Sequence, residues 1–412
     1  MKELTRRRFS IMSLASVSLL AGTAFMPAAL AQGTPESVKV GLIAPMSGLY
    51  ARFGQVMRMG AELAIEDINA AGGIAALGGA PLELVAIDSG DTTEKAKAAA
   101  QRMVADHPEI VAATGSYLSS FTLAVTEVTE RAQLPMLTLS YSDQITARGF
   151  RYIFQTSAAA GAQAGIAIPT VLDLAESATG TRPKTVGIIT DNTAASLSSV
   201  KAMKEGGLLA ANNLELVVDE VFTPPLSDAS SLIQQLRSRQ PDLLFFLPTV
   251  ISDSKLILEK MNEFNVKIPT ISFGIAIAEP DVLNTVSPDL LQGVMSAVGN
   301  YAFKGHEDMI ERMKTRFGEP WMNQNAISTY GDMWIFKQAL EDAGVADREA
   351  VAEALRNMDA GPSPYFPGGS LSFDDTGKRV GAGLTIIQWQ DGVPRTVFPN
   401  DIALSPAIWE AN

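Results

Sequence analysis

Two serines, Ser119 and Ser120, follow the apolar run Ile110–Thr114 and open a stretch of helical spacing over 120–132. A helix that starts directly after a strand presents unpaired backbone N–H groups and the positive end of its dipole, which favours an anion. The same serines serve equally well as ordinary helix caps. Residues that would make such a site catalytic are scarce. There is no cysteine, and the two histidines read as solvated loop residues: His107 precedes Pro108 at a helix end, and His306 lies between Gly305 and Glu307. Asp374-Asp375 followed by Thr376-Gly377 has the make-up of a turn. No G-x-x-x-x-G-K-[ST] loop, no G-x-G-x-x-G after a strand, no G-x-S-x-G elbow and no H-E-x-x-H pair occurs. Gly381-Ala382-Gly383 precedes a strand and lacks the third glycine. Binding rather than turnover is expected, with no metal and no cofactor.

The elements around these residues belong to a large, ordinary globular chain. Its 412 residues are 47% hydrophobic and 19% charged, enough for two or three domains with their own cores. Thirty-two basic against forty-five acidic residues give a net charge of −13, which argues against a nucleic-acid partner. The absence of cysteine excludes disulfide scaffolds, Cys-ligated zinc and iron–sulfur clusters.

Residues 1–31 read as an export signal peptide. Arg6, Arg7 and Arg8 precede the mostly apolar run 9–24, and Ala29-Leu30-Ala31 has the form of a cleavage site. Thr5-Arg6-Arg7-Arg8-Phe9 resembles the twin-arginine export signal. Thr23 stands where a lipoprotein signal would carry its cysteine after Leu20-Ala21-Gly22, so an unanchored periplasmic protein is expected. No later apolar run approaches the length of a membrane span.

Short aliphatic runs alternate with helical patterns through most of the chain. Strands are expected at 38–44, 82–88, 110–114, 136–139, 185–190, 214–221 and 243–247. Helices are expected at 57–71, 94–105, 120–132, 161–175, 197–211, 229–239 and 254–264. This rhythm implies βαβ units and parallel sheets, and the pattern restarts near Phe154, giving two doubly wound lobes. The tail differs, with helices near 308–317, 327–343 and 348–357, then strands at 370–373 and 384–389. Ligands of open α/β sheets lie beyond the carboxyl ends of the strands, here in the cleft between the lobes.

The stretches Val38-Lys39-Val40-Gly41-Leu42-Ile43-Ala44-Pro45-Met46-Ser47-Gly48 and Gly60-Ala61-Glu62-Leu63-Ala64-Ile65-Glu66-Asp67-Ile68-Asn69-Ala70-Ala71-Gly72-Gly73-Ile74 resemble the opening of type I periplasmic solute-binding proteins. More narrowly they resemble the Leu/Ile/Val-binding branch of ABC-importer receptors. Gly115-Ser116-Tyr117-Leu118-Ser119-Ser120, Leu134-Pro135-Met136, the run 146–152, the run 368–374 and Gln388-Trp389-Gln390-Asp391-Gly392 continue the likeness across nearly the whole exported chain. The resemblance implies two lobes joined by a three-segment hinge, one formed by 37–156 plus 300–362 and the other by 157–299 plus 363–412.

The resemblance also implies a site. Ser119 matches the family position that meets the ligand carboxylate, and Ser140-Tyr141-Ser142 matches a ligand-contacting turn. Phe53 and Tyr50 fall in the loop where the family often places an aromatic ring. Departures from the family stand in the second lobe. The family's acid after the first crossing is replaced by Ser157-Ala158-Ala159-Ala160-Gly161-Ala162, a second family acid falls near Phe273-Gly274-Ile275, and Ala195 takes the approximate place of an aromatic. Asn192 and Thr249 are candidates for neutral hydrogen bonds from this side. A buried ammonium without a carboxylate is costly, so a zwitterionic amino acid is doubtful unless Asp191 or another acid substitutes.

The resemblance thus implies a receptor that captures a small polar metabolite by hinge closure and delivers it to an ABC permease in the inner membrane, not an enzyme. A sensory binding protein on the same scaffold, or an exported hydrolase, are the alternatives. Ser119→Ala is expected to weaken binding and leave the stability of the unliganded protein nearly unchanged.

Overall fold

The computed structural model describes residues 35–409 apart from Thr285. The expected export signal, 1–31, lies outside them. Strands β1 (Val38–Ala44), β2 (Leu82–Asp88), β3 (Ile110–Gly115), β4 (Met136–Thr138) and β5 (Ile153–Gln155) form one sheet in the order β2-β1-β3-β4-β5. All four pairings are parallel, with Val40 opposite both Leu84 and Ala112. Helices α1 (Ala51–Ala70), α2 (Thr93–Asp106) and α3 (Ser119–Arg131) make the crossovers.

After α4 (Ala160–Thr179) the chain builds a second sheet from β6 (Thr185–Asp191), β7 (Glu215–Phe222), β8 (Leu243–Leu247), β9 (Thr270–Phe273) and β10 (Met295–Val298). Helices α5 (Ala194–Lys204), α6 (Leu208–Ala211), α7 (Ser230–Arg239), α8 (Ile251–Glu263) and the short α9 (Pro288–Leu291) connect them. The chain then adds α10 (Glu307–Phe317), α11 (Gln324–Ala343) and α12 (Arg348–Arg356). A two-stranded ribbon, β11 (Asp359–Pro362) with β12 (Ser370–Ser372), follows. Finally β13 (Thr385–Gln390) and β14 (Val393–Phe398) join the second sheet, whose order is β14-β13-β10-β9-β8-β6-β7. The β10–β13 and β13–β14 pairs are antiparallel; the rest are parallel.

Central strands such as β3 and β8 are buried at every position, as both-face coverage requires. Helix α11 returns to the first sheet and packs along α1, where Thr329 Oγ1 donates to the Met57 carbonyl at 2.7 Å. Its first ten residues are all buried, because α1 and β3 cover it on several sides. Asn323 caps it, Oδ1 accepting from Ala326 N–H at 3.1 Å. Beyond β12 the chain runs along β5, with Gln155 N–H on the Gly377 carbonyl and Phe373 edge-on to Phe154.

Three expectations change. The single helix expected over 197–211 is two, broken at Gly206-Gly207, where Gly207 takes φ 75° and ends the α-helical run. Helix α1 starts six residues before 57, so Phe53 lies within a helix rather than a loop. His306 is not solvated: it is 4% exposed, its Nδ1 accepts from Phe303 N–H, and its Nε2 donates to the Pro364 carbonyl at 2.7 Å. Burial lowers its pKa, so the neutral ring is the stable form. The turn at Asp374 is present, its carboxylate accepting from Thr376 N–H.

Candidate ligand-binding cleft

The carboxyl ends of β3, β4, β6, β8 and β9 face a common cavity between the two sheets. From the first sheet come Tyr117, Leu118 and Ser119 after β3, and Leu139, Ser140 and Tyr141 after β4. From the second come Ala195 and Ser196, Pro248 and Thr249, and the run Phe273–Ala276. Gln324, the first residue of α11, completes the wall.

Gly115 and Ser116 take φ values of 126° and 57° in turning the chain from β3 into α3. That sharp turn sets Ser119 at the first position of α3, 4% exposed. Its Oγ accepts from Ser142 N–H at 3.0 Å and keeps its own proton to give. Ser140 spends its hydroxyl on the Ser116 carbonyl at 2.7 Å, so it holds the turn and lines the cavity beside it. The Tyr141 hydroxyl accepts from Gly299 N–H at 2.9 Å and donates to Gln324 Oε1, and burial raises its pKa far above the ordinary tyrosine value. Thr249 lines the cavity, and its hydroxyl donates to Asp191 at 2.7 Å. Gly274 lies on the wall as well.

Other candidates stand outside the cavity. Neither Ser120 nor Ser142 lines it, and the Ser142 hydroxyl bonds to Ser198 Oγ at 3.0 Å. Phe53 is buried behind Tyr117, their rings stacked 4.0 Å apart, and Tyr50 packs against Tyr117 and Phe121. The exposed Asn192 turns to Thr223 Oγ1 at 2.8 Å. Tyr117, a residue within the Gly115–Ser120 run that was not expected at the site, lines the cavity in front of Phe53, together with Tyr141 and Phe273. Gln324 was missed too, because it reaches the cavity only through the long return of α11.

Asp191 does not line the cavity. Fully buried, it accepts from Thr193 N–H and Oγ1 at 3.1 and 2.7 Å, and from Thr249 N–H and Oγ1 at 2.7 Å each. It ties the loop after β6 to the loop after β8. Among the described residues no group of three or more acidic or histidine side chains is placed to hold a metal ion, and no helix is long and apolar enough to cross a membrane.

A charged cluster lies behind the cavity and joins the two sheets' loops. Arg52 of α1 pairs with Glu319 at 2.9 and 2.5 Å and with Asp281 at 2.6 Å, and stands 3.6 Å from Glu279. Glu279 also accepts from Asn323 at 2.6 Å. Burial pushes the Glu279 carboxyl up to about 8; Asp281 and Glu319 add to the rise, and Arg52 opposes it. A second buried acid, Asp332, is raised to about 7 by burial, against its hydrogen bond from Thr114. In the window between each group's unfolded and folded values the native state holds a proton that the unfolded chain has lost. Their contribution is full below pH 4 and disappears as pH rises through 7 to 8. We expect the melting temperature to fall between pH 5 and pH 8.5, each acid contributing at most about 1.4 kcal/mol per pH unit. Glu279→Gln should flatten this decline; thermal melts at five pH values will show an unchanged slope if the assignment is wrong.

Comparison with known proteins agrees with this geometry. The profile of the periplasmic binding protein family matches residues 37–393. A Leu/Ile/Val-binding protein homolog 8 of Brucella suis is 28% identical over 397 residues, covering 94% of this chain and 95% of that protein. A branched-chain amino acid transporter binding protein from Streptococcus pneumoniae, solved with isoleucine, superposes with a TM-score of 0.74 at 19% identity, covering 87% of this chain and 97% of that one. A solute-binding protein of an ABC transporter from R. palustris, solved with benzoate, gives 0.73 at 18% identity, with coverage of 90% and 97%. At such identities the structural likeness speaks to the fold alone. With the family profile spanning both sheets and the cleft between them, this chain belongs to the periplasmic binding protein family.

Proposed function

We propose that this chain is the receptor of an ABC importer, holding the carboxylate of a small solute at the start of α3 and handing the solute to an inner-membrane permease. The observation that carries this reading is the buried Ser119 at the first turn of α3, with its hydroxyl proton free and facing a cavity shared by both sheets. We divide the chain into lobes of 37–156 plus 300–362 and 157–299 plus 363–412, which close on the solute by a hinge. The basic start Arg6-Arg7-Arg8 supports delivery to the periplasm by the twin-arginine route. The site's free groups are suited to holding a ligand, and none is arranged as a nucleophile beside a base.

Ser119→Ala tests the assignment. Loss of one hydrogen bond to a charged group should weaken binding about 10- to 100-fold in a calorimetric titration. Stability will also fall, by about 1–2 kcal/mol, because the buried Ser142 N–H loses its acceptor. The expectation of an unperturbed unliganded protein is thereby revised. Unchanged affinity would remove Ser119 from the site.

A further inference from the structure

We propose that the cleft selects small carboxylic acids that carry no ammonium group, and that Gln324 contacts the ligand and helps to set this preference. The inference rests on the solute-receptor reading above. Donors and acceptors around the cavity are unequally free. Ser119 has a hydroxyl proton to give. The N–H groups of Ser119, Ser120 and Phe121 have no acceptor within α3, since the first intrahelical bond comes from Thr122.

Gln324 adds a third donor from a distant segment. The Tyr141 oxygen accepts from Gly299 N–H, so its own proton goes to Gln324. That contact fixes the carboxamide with Oε1 toward Tyr141 and its NH₂ toward the cavity. Gln324 is 2% exposed and lines the cavity, and its NH₂ makes no hydrogen bond among the described residues. A donor left open beside the cavity is available to an acceptor on the ligand.

Acceptors for an ammonium are neutral and mostly engaged. The hydroxyls of Thr249 and Ser196 donate to Asp191 and to the Leu247 carbonyl. The carbonyls of Leu139, Ser140, Tyr141 and Ile275 accept from Ser157, Gln155, Ala160 and Ala278. Asp191 is saturated by its four hydrogen bonds, and neither it nor Glu279 lines the cavity. On the opposing wall, Pro248, Phe273, Ile275 and Ala276 present apolar side chains beside Ser196 and Thr249. A carboxylate meets converging donors there and a hydrocarbon remainder meets hydrocarbon, while an ammonium would be buried with no carboxylate among the residues that line the cavity.

Calorimetric titration of the exported chain, freed of retained solute, with matched pairs tests this. The pairs are 4-methylpentanoate with L-leucine, and 3-phenylpropanoate with L-phenylalanine; the solute retained on purification is identified in parallel by native mass spectrometry. We expect at least one acid to bind about 100-fold more tightly than the amino acid of the same skeleton. Gln324→Leu should weaken that acid about tenfold, and Gln324→Glu, which exchanges a donor for an acceptor, should narrow the ratio in favour of the amino acid. An amino acid that binds as tightly as its deaminated partner, or a retained amine, overturns the proposal and leaves the receptor reading intact. A ratio unchanged in both Gln324 variants removes Gln324 from the site. If no probe binds and no small molecule is retained, both readings fall.

Discussion

Gly60→Ala is expected to destabilise the protein by about 3 kcal/mol or more, a large part of the 5–15 kcal/mol that holds a typical domain together. Alanine is the better helix former by about 1 kcal/mol, so local propensity alone would favour the change. Packing reverses it. Gly60 lies in the middle of α1 where α11 crosses, and a methyl group there would fall far inside contact distance of the Ala326 carbonyl oxygen, its carbon and its Cα. All three are backbone atoms of a helix buried along its first ten residues, so no side chain can turn away. The helices would have to separate, breaking the Thr329–Met57 hydrogen bond and opening the core between them. Urea denaturation of the variant checks this; a midpoint equal to that of the parent would contradict the packing account.

Asp191→Ala is expected to be comparably severe, about 3–5 kcal/mol, and to abolish solute binding. The Asp191 carboxyl group is fully buried, has no cationic partner among the described residues, and accepts from two backbone N–H groups and two hydroxyls. Removing it strands those N–H groups and releases the loops that carry Ala195, Ser196, Pro248 and Thr249 to the cavity. Asp191→Asn is the informative partner. Its NH₂ must face donors that the carboxylate satisfied, so it should recover only part of the loss. Melting curves and titrations of both variants will separate this from a direct ligand role, in which Asp191→Asn would lose affinity while melting like the parent.

The framework was legible where strands are apolar throughout. β1 and β6 were bounded to within a residue because burial on both faces leaves a mostly aliphatic run between turn residues, and β2, a partly exposed edge strand, was bounded by the turn residues around it. Strands β5, β9, β10, β11 and β14 were missed. Four of them are only three or four residues long and are strands because of their neighbours, and β14 contains Pro394 and Arg395, which obscure its alternation. The signal for the α5–α6 break was present in Gly206-Gly207 and outweighed by the surrounding helical period.

At the site, Ser119, Ser140, Tyr141, Thr249 and Gly274 do converge on one cavity. They sit directly after strands, where sequence order nearly fixes position. Phe53 and Asn192 went astray because one lies a ring's thickness behind Tyr117 and the other is turned outward by Thr223. Gln324 had no local signal at all: its place depends on Asn323 capping α11 while also holding Glu279, a contact across 44 residues of chain. The neutrality of the second-sheet wall was visible in advance at Ala195 and Gly274, and the saturation of Asp191 was not.

Small-angle X-ray scattering of the exported chain, recorded without and then with a saturating amount of the solute recovered from it, bears most directly on a pair of sheets that clasp one small molecule. The account predicts a smaller radius of gyration with solute present, and no such contraction for Ser119→Ala at the same concentration. Superimposable profiles at proven saturation, together with chemical conversion of the added compound, would contradict it.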